Sequence, residues 1–417
     1  MRSVQQWVRQ PSIHGSLICV AVGTVIGWSA WGDGRLPLTA ALLPLAIGFA
    51  GARSNAFFIG FAYALATERA GPGFMAVWFG GDVLITSLMW LGSGVVGGLA
   101  WSVGWSASPV PWRRAAASVL AWALTLAPPV AVLVMGHPVI AWGYLLGDSG
   151  WLGVLASATV PAIILAKVPM ISWPSTRWGW LFFPVLAAVG SAGVFAYRPS
   201  EHQFVGDIAA ISTEWGAAKD VFEVLNRIER IGQVNTRFAQ ETDTRVLIYP
   251  ESIIQQYEPA LLPILEMEVI NPGRRAGLTT ILGADLPSKT GVLETAAIAF
   301  YPDGRTATAV ARQTVPFALW RPWQSSGYFA SDWTANNILT VKPGVRARIV
   351  FCYEEYIPVL SLINEALDSH NLVIVMANTW TSESELGSII QARHSEGVAK
   401  LFGRRLLRAE NRPKRSD

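Results

Sequence analysis

Residues 346–360 read RARIVFCYEEYIPVL. A strand-like apolar run ends in Cys-Tyr-Glu-Glu and is followed by a proline, which marks the run's end and a turn into a new element. The thiol here, Cys352, is one of only two cysteines in 417 residues. A lone cysteine is most often a small buried hydrophobe. A thiol at a strand end with acids beside it is also a candidate nucleophile.

The segments around this stretch share its grammar. RVLIYPESI (245–253) is a buried strand ending at Pro-Glu, LTTILGADL (278–286) is another, and NLVIVMANTW (371–380) a third. ETAAIAFYPDGRTATAVAR (294–312) reads as a hairpin through Pro-Asp-Gly. DIAAIS (207–212) is strand-like, and residues 215–240 place Val221, Val224, Leu225, Ile228, Ile231 and Val234 at helical spacing. YIPVLSLINEAL (356–367) and SIIQARHSEGVAKLFGRRLL (388–407) read as helices. Strands alternating with helices predict an α/β domain whose sheets are covered by helices.

The N-terminal half has a different solvent. The whole chain is 52% hydrophobic and 15% charged, with mean hydropathy +0.36, whereas soluble proteins carry about 25% charged residues. The shortfall lies in residues 12–196. Seven apolar segments, near 12–31, 36–51, 55–67, 73–105, 115–136, 149–167 and 178–196, are candidate spans, each judged against the ~20 residues needed to cross a bilayer. GHPVIAWGYLLGD (136–148) reads as a partly inserted loop. Residues 1–197 are thus expected to be a polytopic membrane domain and 198–417 an extramembrane one large enough for its own core.

Arg2, Arg9, Arg53, Arg113, Arg114, Lys167 and Arg177 fall at the N-terminus or in every second loop, against Arg35 and Arg69 in the others. This bias puts the N-terminus in the cytoplasm. Seven crossings then put the second domain on the periplasmic side of a bacterial inner membrane. Trp28, Trp31, Trp105, Trp112, Trp173, Trp178 and Trp180 suit interfacial belts. Asp82, within the fourth span, suits either a solvated cavity or a helix end. The basic start MRSVQQWVRQ is not followed by a clear cleavage site and does not read as a removed signal.

Composition also excludes. A net charge of +3 makes no case for nucleic-acid binding. No His/Cys/Asp set has metal spacing, and no glycine-rich loop follows a strand, so no metal or other cofactor is expected. Cys19 and Cys352 sit in settings too different for a disulfide.

The motifs resemble those of the carbon–nitrogen hydrolase (nitrilase) superfamily. LIYPES is similar to its general-base segment, and IVFCYEEYIP to its nucleophile segment, above all in the CYE form of the apolipoprotein N-acyltransferases. TVPF (314–317), ANTW (377–380) and GRRLLRAEN (403–411) resemble later segments of that family, and spans followed by such a domain are its architecture. The resemblance covers nearly the whole chain. It implies an α-β-β-α sandwich with Glu251 as base, Cys352 as nucleophile, Tyr353 and Glu354 in support, and Trp380 lining the site. It further implies that an acyl group passes from a membrane phospholipid to Cys352 and then to the amine of a lipoprotein or other envelope component.

Three departures stand out. The family lysine, five residues before the proline of VPF, falls on Ala311, leaving Arg312 as the nearest cation. The acid expected after VPF is replaced by Ala318-Leu319-Trp320. The family continues past this segment through further strands to a last span, whereas here the sequence runs out in NRPKRSD. The same departures mark plasmid-borne conjugal-transfer proteins similar to the acyltransferase, which makes the conjugation machinery a candidate partner. The resemblance implies Glu251, Cys352 and Arg312 as the catalytic set; the departures leave open a non-catalytic conjugation factor with a degenerate domain, and the shared motifs a true apolipoprotein N-acyltransferase. Lys289 and Lys342 are alternative cations, Glu355 is expected to face solvent, and His394 is expected to pack or hydrogen-bond rather than act as a base.

Overall fold

The computed structural model describes residues 13–31, 36–167, 202–288, 291–321, 323–324, 328–382 and 385–414. The seventh expected span, with Trp173, Trp178 and Trp180, lies outside these, as does Lys289. The chain divides into two compact units. One comprises Met1–Tyr197, Tyr356–Val359 and Ala392–Gly403; the other comprises Arg198–Glu355, Leu360–Gln391 and Arg404–Asp417.

The first unit is helical. Its elements are α1 (Ile13–Ala30), α2 (Leu43–Gly48), α3 (Arg53–Thr67), α4 (Gly71–Ala76), α5 (Val83–Ser102), α6 (Pro111–Leu126), α7 (Val130–Leu133), α8 (Val139–Leu145) and α9 (Trp151–Lys167). Close packing of α1 on α3 depends on Gly23, where a Cβ would lie 2.2 Å from the Ile59 carbonyl oxygen. The expected fourth span is broken in two. Gly80 and Gly81 adopt positive φ, and the Asp82 carboxylate accepts from the Ile85 amide to cap α5. Asp82 is thus a helix-end residue. The segment read as a partly inserted loop instead forms α8, with Val139, Ile140 and Ala141 fully buried. Among the described residues, only α5 is both long and apolar enough to cross a membrane. Its outward face carries exposed Leu84, Leu88 and Leu99, and α9 exposes Leu152, Leu155 and Ile163.

The second unit holds two sheets. β1 (His202–Val205), β2 (Ile208–Ile211), β3 (Val246–Ile248), β4 (Thr279–Pro287), β5 (Leu293–Phe300) and β6 (Thr306–Val310) form one in sequential order. β7 (Ile338–Lys342), β8 (Val345–Phe351), β9 (Leu372–Asn378) and β10 (Arg405–Asn411) form the other, in the order β10-β9-β8-β7. Three neighbouring strands of each sheet run parallel, β2-β3-β4 and β8-β9-β10. Parallel neighbours need crossover connections. These are α10 (Val221–Glu241), α11 (Leu262–Leu265) with α12 (Asn271–Ala276), α13 (Pro358–Leu367) and α14 (Glu385–Leu401).

The inner faces of the sheets meet in one apolar core, including Ile248, Ile281, Ala297, Ile349, Ile374 and Leu407. The outer face of the first sheet packs Leu247, Tyr249 and Leu282 against Val224, Ile228 and Ile231 of α10. Two sheets thus share one core, and α10 covers the outer face of the first. One expectation fails locally: residues 388–407 are not a continuous helix. Gly403 adopts φ +62°, where α14 has ended, and Arg405–Asn411 then pairs along all of β9. Parallel pairing with buried β9 outweighs the helical pattern of the segment. The sequence reading also lacked β1 and β7, both short strands at sheet edges.

Candidate active site

β3 stops at Ile248, and the chain turns outward through an elbow that carries Glu251. Ser252 and Gln255 hold left-handed backbones, φ 45° and 53°. The elbow lies directly on β4 at Gly283, where a Cβ would stand 2.2 Å from the Pro250 carbonyl oxygen and 2.6 Å from the Glu251 Cα. Glycine in a strand interior marks such a close backbone approach. Ser252 Oγ donates to Asp285 Oδ1 at 2.7 Å, tying the elbow to β4 a second time.

β8 stops at Phe351, and Cys352–Tyr356 form a tight turn. The structure brings Cys352 and Glu251 together: the Glu251 carboxyl interacts with both the thiol and the main-chain amide of Cys352. Both residues are buried, 6% and 8% exposed, and Glu251 Oε2 has no hydrogen-bond partner. Burial raises the Glu251 pKa well above the ordinary carboxylate value, and the nearby Asp285 and Glu354 carboxylates raise it further. Burial, then the Glu251 charge, raises the Cys352 thiol likewise. Both shifts come first from burial, which disfavours charge on either group. Such a pair is suited to passing a proton from sulfur to carboxylate as the sulfur attacks, rather than to storing a thiolate.

Glu354 joins the ends of two strands. Its Oε1 accepts from the main-chain amides of Arg312 and Gln313, the latter at 3.0 Å, and its Oε2 from the Phe351 amide at 3.0 Å. It thereby pins the segment after β6 to the end of β8. Arg312 differs from its expected role. Its guanidinium donates to the Ala335 carbonyl at 2.8 Å and to Asn364 Oδ1 at 3.1 Å, and pairs with Asp368 at 3.6 Å. Among the described residues no hydrogen bond or ion pair of Arg312 reaches Cys352; its main-chain amide donates to Glu354, and its charge opposes the upward shift of that acid.

The other expected residues disperse. Trp380 lines a cleft of about 600 Å³ with Trp215, Arg227, Arg230 and Lys414, and Cys352 is not among the residues of its wall. Tyr353 is half-buried on the Cys352 turn. Glu355, expected at the surface, is buried and bridges to Arg408, Nη2 to Oε1 at 3.2 Å. Lys342 pairs with Asp207 at the far end of β7. His394 belongs to the helical unit, where it stacks on Trp31 with centroids 4.1 Å apart and its Nε2 accepts from the Gly136 amide at 3.0 Å. Both cysteines are free.

Two groups beside the thiol had no place in the sequence reading. Asp285 sits next to Glu251, and Gln391 of α14 donates from Nε2 to Cys352 Sγ at 3.2 Å and to the Cys352 carbonyl. No local pattern marks Gln391, since only the packing of α14 against the end of β8 brings it there. Arg408 had a weak signal: a cation inside the apolar run LLRAE.

The acid cluster makes stability depend on pH. Burial pushes Asp285 up to about 6 and Glu354 up to about 7. Acids whose folded pKa lies above the unfolded value contribute stability below the unfolded pKa, and lose it as pH rises through the folded one. The thermal midpoint of the full chain is therefore expected to fall between about pH 5 and about pH 8, with a shallower fall in Asp285→Asn. A midpoint that climbs across this range would refute the assignment.

No protein-family profile matches the chain. The chain is similar, almost end to end, to the conjugal transfer protein TraB of Agrobacterium fabrum. The two are 25% identical, across 95% of this chain and 91% of that protein. A probable conjugal transfer protein TraB of Sinorhizobium fredii is 24% identical across 95% of this chain and 97% of its own length. Among solved structures, an amidase from Nesterenkonia sp. aligns with 51% of this chain and 80% of its own, at 17% identity and TM-score 0.37. A CN-hydrolase superfamily protein from Xanthomonas campestris aligns with 49% and 75%, at 15% identity and TM-score 0.36.

Proposed function

We propose that this chain is a membrane-embedded, cysteine-dependent acyltransferase that serves plasmid conjugation by modifying an envelope component. The observation that carries the reading is the buried Glu251–Cys352 pair, held on two strand ends by Gly283 and Glu354. In the first half-reaction Sγ attacks the acyl carbonyl carbon of a phospholipid ester, and its proton passes to Glu251. The ester C–O bond breaks, and the departing alcohol takes that proton. In the second, an amine attacks the thioester carbonyl, gives a proton to Glu251, and releases Cys352, which recovers the proton as a thiol. Splitting one difficult acyl transfer into two steps is the use of a covalent nucleophile.

The membrane assignment rests on the exposed apolar faces of α5 and α9 and on the Lys/Arg bias of the loops. On it we place residues 1–197 in the inner membrane as a multi-pass domain and residues 198–417 in the periplasm. A phospholipid would be the acyl donor and a lipoprotein or other envelope component the acceptor, with the conjugation machinery as partner. The similarity to TraB proteins supports the setting in conjugation.

One observation favours a second reading, a binding factor for conjugation with no chemistry. Ala311 stands where the family lysine belongs, and the Arg312 guanidinium is committed to Asn364 and Asp368. Mass spectrometry of the Cys352 peptide from membrane-purified protein separates the two. A fatty-acyl mass that hydroxylamine removes is the expected result. A bare thiol, under conditions where an acyltransferase control carries its adduct, establishes the second reading.

A further inference from the structure

The site as described has a base and a nucleophile but no donor in the lysine's position, and a buried sulfur anion needs one: an unpaired buried charge is costly. Gln391 reaches the sulfur. Its Nε2 carries two N–H groups, and the structure gives it two acceptors, Cys352 Sγ at 3.2 Å and the Cys352 main-chain carbonyl. One holds the amide in place while the other meets the sulfur.

The orientation of an amide side chain has to be settled from its neighbours. Arg408 settles this one. Its Nη2 lies 3.5 Å from Gln391 Oε1, and a guanidinium can only donate. The oxygen of the amide must therefore face Arg408, and the nitrogen must face Cys352. Arg408 is itself anchored by Glu355 at 3.2 Å and Glu410 at 2.6 Å, both buried. A run of contacts thus leads from two buried acids through Arg408 and Gln391 to the thiol. Its supports come from three elements, the turn after β8, α14 and β10, that sequence places far apart.

We propose that Gln391 is the catalytic residue that stabilises the developing Cys352 thiolate in place of the absent lysine, with Arg408 as the positioning residue that aims it. The inference rests on the reading of Cys352 as the nucleophile.

The test is the alkylation rate of Cys352 by iodoacetamide across pH, in the full chain in detergent micelles, read by mass spectrometry of the Cys352 peptide. Gln391→Met keeps the volume and removes the donor; Gln391→Ala removes both. Losing a hydrogen bond to the anion is expected to move the profile alkaline by about one pH unit, roughly a tenfold slower reaction on its rising limb, in both variants. Arg408→Lys, which loses the planar fork but keeps the charge, is expected to shift it the same way by less. A Gln391→Met profile that superimposes on the parent overturns the proposal, and an unmoved Arg408→Lys profile overturns the positioning role. Alkylation needs no acyl donor. A parent protein that never acylates but shows the Gln391 shift would sink the acyltransferase reading alone; one that acylates with an unmoved profile would sink this inference alone.

Discussion

Replacing Glu251 with Gln is expected to slow acylation of Cys352 about 10²–10⁴-fold, the usual worth of a positioned general base. The amide has the shape of the carboxyl but cannot take the thiol proton. Glu251 Oε2 has no hydrogen-bond partner, so the new amide nitrogen there is a buried donor without an acceptor and costs about 1–3 kcal/mol, which thermal denaturation of the variant measures beside the rate. A second consequence follows from the charge. Glu251 is held well above the ordinary carboxylate value, first by burial and then by the Asp285 and Glu354 charges. With one acid gone, the loss of stability on raising pH should be shallower than in the parent. Single-turnover acylation by an activated ester measures the first effect, with Cys352→Ala as the zero. A Glu251→Gln protein that acylates at the parent rate would place the base elsewhere.

Gly283→Ala is the second large effect, and it strikes a residue with no functional group. The added methyl would lie 2.2 Å from the Pro250 oxygen and 2.6 Å from the Glu251 Cα, both backbone atoms that cannot rotate aside. Overpacking of this kind costs about 1–3 kcal/mol. Relief requires the elbow to lift off β4, carrying Glu251 away from Cys352. A misplacement of ~1 Å can cost about 10²-fold in rate. Thermal denaturation and the acylation assay together check this: a large loss of rate in a protein that still folds is the expected pair of results. A stable variant with unchanged rate would show that the elbow does not set the geometry of the acid. Gly206, at φ +62° in the β1–β2 turn with nothing within 4 Å of its added Cβ, supplies the contrasting substitution away from the site.

Much of the second unit was legible because its signals are local. Buried parallel strands are continuous apolar runs, and β3, β4, β8 and β9 each read that way. The hairpin β5–β6 announces itself through Pro-Asp-Gly, and α10 through its 3.6-residue spacing. β10 did not, because its residues also suit a helix and only the exposed ladder of β9 decides between them. In the helical unit, glycine punctuation at Gly80 and Gly81 and the cap at Asp82 divide what hydropathy alone merges. Hydropathy averages over such breaks.

The site divides along the same line. Glu251 and Cys352 were readable in the sequence because each ends its own strand, and a strand end in this fold faces a shared edge. The partners of the Arg312 guanidinium were not legible because a sequence position fixes where the backbone lies and not where six further bonds of side chain lead; Asn364 and Asp368 claim it. Glu355 was misjudged because its partner, Arg408, is 53 residues away in the chain. The amino-acid order by itself determined β2 to β6, β8 and β9, the α/β class, and the two residues that meet. Only the tertiary structure decided which charge pairs with which, and that Gln391 faces the sulfur. Pairing of buried polar groups is settled by three-dimensional proximity under the penalty for leaving any of them unpaired, and sequence spacing carries no record of that choice.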